Sequence, residues 1–359
     1  MVPRPRAALR ATLCAIAAVA AAGCAAGDAG GAPFDASGTL EDLAAVTAAF
    51  DAPAIASFTA VSDQIDAALA APVVAPAVRL LAAHDDAAFA ARSREFVLRA
   101  AAYAHADPVT PRLAAVASLP SGRMGGTWEW QPARSRYVRT GLAGAPDDGV
   151  RFLLYAVDAA TGLPRLPLRQ LGYADVRDAG RGAEMATRVR VVSGDAAVLD
   201  YTIASAESSA GVSVTLRGTA GELAFALGSS FDAGLAGGRL DFRLDAPSRG
   251  VALDWAVSLH DLAGERPVDL DILMSGPHGN VVMAGSMTPT GAGTLSVLAN
   301  GVAFAAITRA PGQGPVVSRS DGTPLASAEQ GALLGILAMS NEGGTLFNRL
   351  LDPVDNVFR

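Results

Sequence analysis

The chain has 359 residues, a formal net charge of −7 and only two cysteines, and all 28 of its basic residues are arginines. Without lysine it has no Schiff-base chemistry, no cofactor bound through a lysine and no phosphate-binding loop of the P-loop type. Because an acidic protein repels phosphate backbones, nucleic acid is not an expected partner.

The N-terminus has the three parts of an export signal. Arg4, Arg6 and Arg10 form a positively charged start. An apolar run of about ten residues follows and ends at Ala22, so it is too short for the roughly 20 residues that span a bilayer. The run closes in the sequence Ala-Ala-Gly-Cys, which ends at Cys24. This motif resembles the lipobox of bacterial lipoproteins.

The resemblance implies a protein that is exported and anchored to a membrane through lipid. Residues 1–23 would be removed, and Cys24 would become the lipidated first residue of the mature chain. Ala25 stands where lipoproteins kept in the inner membrane usually have an aspartate. The resemblance therefore favours the outer membrane, with the protein facing the periplasm or the cell surface. The alternative is an ordinary secretory signal cleaved near Ala26, in which Cys24 is incidental.

Removal of the signal changes both the cysteine content and the charge. The other cysteine, Cys14, lies inside the apolar run. A mature chain starting at Cys24 therefore has no disulfide, no thiolate nucleophile and no cysteine-ligated metal site. Loss of three arginines with the signal lowers the net charge from −7 to about −10.

Composition and periodicity divide the rest of the chain into four parts. About four helices are predicted in the second part, and the first of them begins at a relaxed capping box of Thr39 and Asp42. The parts are a flexible lipidated tether over 24–38, a helical region over 39–124, an antiparallel β domain over 125–320 and a C-terminal helical segment over 321–359.

The β domain is predicted from apolar residues that recur at every second position from Thr127 to about Arg319. In 239–245, for example, apolar and charged residues alternate strictly, which is typical of a strand with one buried face. The pair Asn300-Gly301 predicts a tight hairpin. We therefore predict an α+β, mostly β fold. It has a large curved antiparallel meander sheet or partly closed barrel of about 12–14 strands, with N-terminal and C-terminal helices packed on it.

The C-terminal segment predicts two helical pieces. The first begins at a capping box at Ser327 and the second ends before Pro353. Gly331 and Gly335 have the spacing that allows close packing, which we expect against a strand. A lipidated N-terminus with a bent sheet filled by helices resembles, in architecture only, the carrier and acceptor lipoproteins of the cell envelope. This likeness implies no binding residues.

Two groups of side chains are candidates for a site. Trp128, Trp130 and Tyr137 either pack across strands or form a stacking platform for a sugar or an apolar ligand. His260 and His278, with aspartates between them, are candidates for a metal site or an acid/base pair. A charged, solvent-facing strand is the alternative explanation of these aspartates. No catalytic residue, metal or cofactor is predicted.

The favoured function is a non-catalytic envelope lipoprotein that binds an apolar ligand or a protein partner. One alternative is a purely structural or interaction lipoprotein whose helices fill the sheet, and the space between the sheet and residues 326–351 would distinguish the two. An exported hydrolase is a further alternative. It requires His260, His278 and an acidic residue within about 4 Å of one another. Alternating strands are also typical of transmembrane barrels, but a helical C-terminus and the lack of an aromatic girdle oppose that reading.

Overall fold

The computed structural model describes residues 34–66, 122–180, 185–208, 211–232, 238–260, 266–288 and 291–358. Cys24, the tether up to residue 33 and the later helices predicted between residues 67 and 106 lie outside the described residues.

The described residues form a large sheet with helices on one face. The helices are α1 (Ala36–Phe50), α2 (Pro53–Asp66) and α3 (Ser327–Phe358). The strands are β1 (Gly126–Gln131), β2 (Arg136–Thr140), β3 (Gly149–Tyr155), β4 (Gln170–Asp178), β5 (Met185–Ser193), β6 (Ala196–Ser208), β7 (Gly211–Ala220), β8 (Leu223–Asp232), β9 (Gly238–Ala246), β10 (Val251–Leu259), β11 (Val268–Ser275), β12 (Val281–Met287), β13 (Gly293–Ala299), β14 (Val302–Arg309) and β15 (Val316–Arg319).

The 15 strands of the described residues belong to one open sheet, which confirms the predicted mostly β fold class. The sheet has one strand more than the predicted 12–14, and it is not closed into a barrel. From β3 to β15 each strand pairs antiparallel with the next one along the chain. The first hairpin is different, because β1 lies between β2 and β3 and runs parallel to β3. The simple meander order is therefore wrong at this edge, where the connection 141–148 carries the chain back past β1.

The two faces of the sheet have opposite chemistry. The inner face, which the helices cover, has fully buried apolar side chains such as Val189, Leu216 and Ile272. Each such side chain contributes on the order of 1.5–3 kcal/mol by leaving water. The outer face has charged pairs between neighbouring strands, including Arg188 with Asp200 at 2.7 Å. The alternation seen in the sequence therefore corresponds to one buried and one solvated face.

The hairpin predicted at Asn300-Gly301 is confirmed. The two residues have φ angles of 52° and 79°, and they connect β13 to β14. A two-residue turn of this type needs positive φ at both positions, which asparagine and glycine tolerate best.

Helix α1 begins four residues before the start that its capping box predicts. Asp35 is the N-cap, and its carboxylate accepts hydrogen bonds from the backbone N–H groups of Ser37 and Gly38 at 3.1 Å. Just before it, Phe34 packs edge-to-face on Phe304 of β14, with ring centroids 5.7 Å apart. The end of the predicted tether, 34–38, is therefore part of the folded body.

Helix α3 is one continuous helix, so the prediction of two pieces is wrong. Pro353 lies inside it and lacks the N–H that the carbonyl one turn earlier would accept. The buried hydroxyl of Tyr201 donates a hydrogen bond of 2.6 Å to the carbonyl of Leu350 in this turn. This hydrogen bond from β6 stabilises the turn of α3 in which Pro353 removes one backbone hydrogen bond.

The two closely spaced glycines of α3 face another helix and not a strand. A Cβ at Gly331 would lie 3.6 Å from the side chain of Leu40, and one at Gly335 would lie 3.0 Å from Leu43. Both leucines belong to α1. The glycines therefore let α3 approach α1 closely, and the expected packing of this motif against a strand is wrong.

No single helix in the described part of the chain is long and apolar enough to cross a bilayer. The bent pair of α1 with the first part of α2 passes this test by length and composition only, with 53° between its axes. In this structure Ile55 and Phe58 of that pair are buried in the core.

Candidate functional site

The space between the helices and the inner face is filled. Leu333 and Ile336 of α3 are completely buried there. A small void remains where α1 and α3 meet β9, β10 and β11, with room of about 10 Å³, which is no more than one water molecule. The void at this junction is too small for an apolar ligand.

The outer face has a much larger concavity, which we call the outer groove. Its volume is about 400 Å³, and it is open to solvent. It crosses five strands, β7 to β11, and reaches β12. Its lining side chains on the outer face are Thr215, Arg217, Ala226, Gly228, Arg239, Asp241, Arg243, Asp254, Ala256, Asp271, Leu273 and Val282.

Strand register brings small residues together to form the floor of the outer groove. Gly228 lies opposite Asp241 on β9, which lies opposite Ala256 on β10. In the neighbouring row, Ala226 lies opposite Arg243. Ala256 is only 6% exposed although it points away from the helices. Longer neighbouring side chains therefore rise above the small residues and leave a depression between them.

Most of the charged side chains of the outer groove are paired with one another. Arg243 binds Asp254 across the strand pair at 2.9 Å and Asp245 on its own strand at 2.8 Å. The hydrogen bonds that the Arg243 guanidinium donates to the Asp245 carboxylate are the main reason why the pKa of Arg243 is raised. Arg239 is held by Asp241 at 2.7 Å. These pairs fix the orientation of the arginines along the groove.

Two charges of the outer groove have no partner among the described residues. Arg217 on β7 is exposed and makes no ion pair or hydrogen bond there, and the same holds for Asp271 on β11. They lie at opposite ends of the groove, since β7 and β11 are its outermost charged strands. The groove therefore offers one free positive and one free negative group to a bound molecule.

The three aromatic candidates from the sequence form a packed cluster in the core. Trp130 and Tyr137 lie opposite each other in the β1–β2 pair, and their rings are 5.9 Å apart. Both are buried, and burial raises the pKa of Tyr137. Trp128 is half-buried and stacks on Phe152 at 6.2 Å. This arrangement is the cross-strand packing that the sequence offered as one of two readings.

The two candidate histidines do not share a site. His260 directly follows β10, whose last residue Leu259 pairs with the first residue of β11, and His278 lies just after β11. The eight-residue length of β11 therefore separates the two histidines by roughly 25 Å. His260 contacts Asp269 at 2.6 Å on the exposed face. Among the described residues, no three histidine, cysteine or acidic side chains cluster closely enough to hold a metal. The hydrolase geometry that the sequence left open is not formed by these residues.

His278 belongs to a different arrangement, which we call the rim network: Asp35, Asp42, Arg249 and His278. Arg249 donates a hydrogen bond of 2.9 Å to the buried carboxylate of Asp42. The imidazole of His278 lies 3.1 Å from Asp35 and 3.6 Å from the second oxygen of Asp42. The backbone N–H of Asp35 also donates to the carbonyl of His278. The network fastens the start of α1 to two turns at one end of the sheet.

We expect Arg249→Ala to lower the free energy of unfolding by about 2 kcal/mol, because it leaves the Asp42 carboxylate buried with a weaker partner. Chemical denaturation of the folded chain measures this. Adding Asp42→Asn to Arg249→Ala removes the unpaired charge, so the double variant should be more stable than Arg249→Ala alone. Ordinary surface substitutions change the free energy of unfolding by about 0.5 kcal/mol or less. An effect of Arg249→Ala within this range would show that Arg249 is not needed to compensate the charge of Asp42.

Sequence reasoning missed both the outer groove and the rim network. The charged face of β9 was recognised, but the register that sets Gly228 and Ala256 beside it could not be inferred from local pattern. Asp42 was assigned to a capping box, while its actual partner Arg249 is 207 residues away. The alternation of arginine and aspartate on β9, next to strands with small residues, is the signal that could have indicated the groove.

Comparison with known proteins gives no relative: no family model, no curated protein and no solved structure matches this chain.

Proposed function

We propose that this chain is an exported, lipid-anchored protein of the cell envelope that binds a protein partner and is not catalytic. The observation that carries the proposal is the contrast between the two faces of the sheet. The inner face is filled by helices down to a void of about 10 Å³, whereas the outer face has an open groove of about 400 Å³. The anchor rests on the lipobox that ends at Cys24.

The difference between the inner face and the outer face also favours an interaction protein over a ligand carrier. A ligand carrier of the kind seen among envelope lipoproteins needs an interior cavity, and a filled interior favours the interaction alternative over an apolar ligand. A hydrolase would need a cluster of catalytic groups. The length of β11 separates His260 from His278, so these two histidines do not form such a cluster. Partner binding needs only an accessible, shaped and charged surface, and the outer groove has these properties.

We expect a photo-cross-linking amino acid at Leu273 to capture a partner in intact cells. Leu273 is 39% exposed and lines the outer groove, whereas the control position Val316 is 58% exposed on the edge strand β15. An adduct of defined mass should form from position 273 and not from position 316. The full-length chain should be used, so that export and the anchor are retained.

Equal adducts from both positions, or none from position 273, would contradict partner binding through the groove. Native mass spectrometry of the purified protein adds a check on the ligand alternative. A co-purifying apolar compound would favour that alternative instead.

A further inference from the structure

We infer that the outer groove binds an extended segment of its partner that has one acidic and one basic side chain about six residues apart. This inference rests on the proposed function and specifies its partner. It follows from three properties of the groove: the distance between its two unpaired charges, the pairing of the others and the small residues of its floor.

The distance between the unpaired charges sets the length of the segment. Arg217 lies on β7 and Asp271 on β11, four strand spacings away. With neighbouring strands about 4.8 Å apart, the two residues are separated by roughly 20 Å along the groove. An extended chain covers that distance in about six residues, at roughly 3.3 Å for each. A compact small molecule would reach only one of the two charges.

The balance of charge selects a partner with both signs. The groove is lined by three arginines and three aspartates, so it has no excess charge that would attract a polyanion or a polycation. Arg239 and Arg243 already have aspartate partners. An acidic side chain of the partner is therefore expected at Arg217, and a basic one at Asp271.

The floor suits the backbone of an extended chain. Ala226, Gly228 and Ala256 have too little side chain to block its approach. At the end near Asp271, Leu273 and Val282 lie opposite each other and offer an apolar contact. The residues between the two charges of the partner are therefore expected to be small or apolar.

A nine-residue peptide tests the inference directly. The probe has a glutamate at its second position, an arginine at its eighth, and alanine, valine and threonine between them, with both ends blocked. The control peptide has the same composition but places the two charges side by side. By isothermal titration calorimetry at low salt, the probe should bind the full chain in detergent with a Kd below about 1 mM. The control should bind at least about fivefold more weakly.

Charge reversal in the groove gives the decisive comparison. Arg217→Glu and Asp271→Arg should each weaken binding of the probe by about five- to tenfold, because each turns an attraction into a repulsion. The double variant exchanges the two ends of the groove. It should bind within about twofold of wild type, since the peptide can lie in the opposite direction. Both residues are exposed, so circular dichroism should show unchanged folding.

Several results would overturn the inference: no binding of the probe, equal binding of the control peptide, or a double variant as weak as the single ones. An adduct at position 273 that proves to be a second copy of this chain would also replace the proposed partner. Failure of the peptide with a partner adduct still formed at position 273 would reject the extended segment and leave the proposed function standing. If the peptide does not bind and no partner adduct forms at position 273, the proposed function is rejected as well.

Discussion

Cys24→Ser should move the protein from the membrane fraction to the soluble fraction. If Cys24 is the lipidated residue, its replacement removes every acyl chain, and several acyl chains together are what hold a lipoprotein firmly in a bilayer. In the described part of the chain no single helix replaces them as an anchor. Fractionation of cells grown with an alkyne-labelled fatty acid measures both location and lipid, and the expected change is nearly complete.

Cys14→Ser is the matched control, because Cys14 is the only other cysteine and lies in the apolar run of the signal. This variant should stay in the membrane fraction and keep its label. Membrane retention of Cys24→Ser without label would mean that the protein is held by another contact. Label on Cys24→Ser would place the lipid on a different residue.

Leu333→Ala should lower the free energy of unfolding by about 2–5 kcal/mol. Leu333 is completely buried where α3 fills the inner face, so the substitution loses apolar burial and leaves a cavity. The same substitution at Leu142, which is 51% exposed, should cost less than about 0.5 kcal/mol. Urea denaturation followed by tryptophan fluorescence measures both. A small effect at Leu333 would mean that α3 is not an essential part of the core.

Local pattern was enough to predict the strands of this fold. Alternation at every second position identified the β domain, and Asn300-Gly301 identified one of its hairpins, because both signals depend on residues that are neighbours in the sequence. The parallel placement of β1 beside β3 was not predictable in this way. It depends on which strands meet after a connection, and the sequence of each strand is compatible with more than one neighbour.

Helix boundaries and packing partners were predicted less well, for a physical reason. Thr39 with Asp42 and Ser327 with its neighbours both fit capping boxes, yet the side chain of Asp42 is recruited by a distant arginine. In α3 the box is shifted by one residue, because the carboxylate of Glu329 accepts from the backbone N–H of Ala326 at 2.8 Å. Glu329 also pairs with Arg319 of β15, which lowers the pKa of its carboxyl. Tertiary contacts therefore determine which of several possible residues caps each helix.

The outer groove could not be predicted from the sequence, because it depends on how the strands pair in the assembled sheet. From the sequence, the charged residues of β9 and β11 were attributed to a solvated face, and most of them are paired as that reading implies. Arg217 and Asp271 are different because no described residue pairs with them, and this depends on the register of five strands. The sequence predicted the charges, but not which of them would remain available.

The contact between α1 and α3 has a consequence for how the chain folds. Leu40 packs on Gly331, so the interior is closed by residues about 290 positions apart in the sequence. Contacts of such long range form slowly, because a long loop must close before they are made. The body therefore cannot complete its core until the C-terminal helix has been synthesised. Under the proposed export, this late closure would leave the chain incompletely folded while it crosses the membrane.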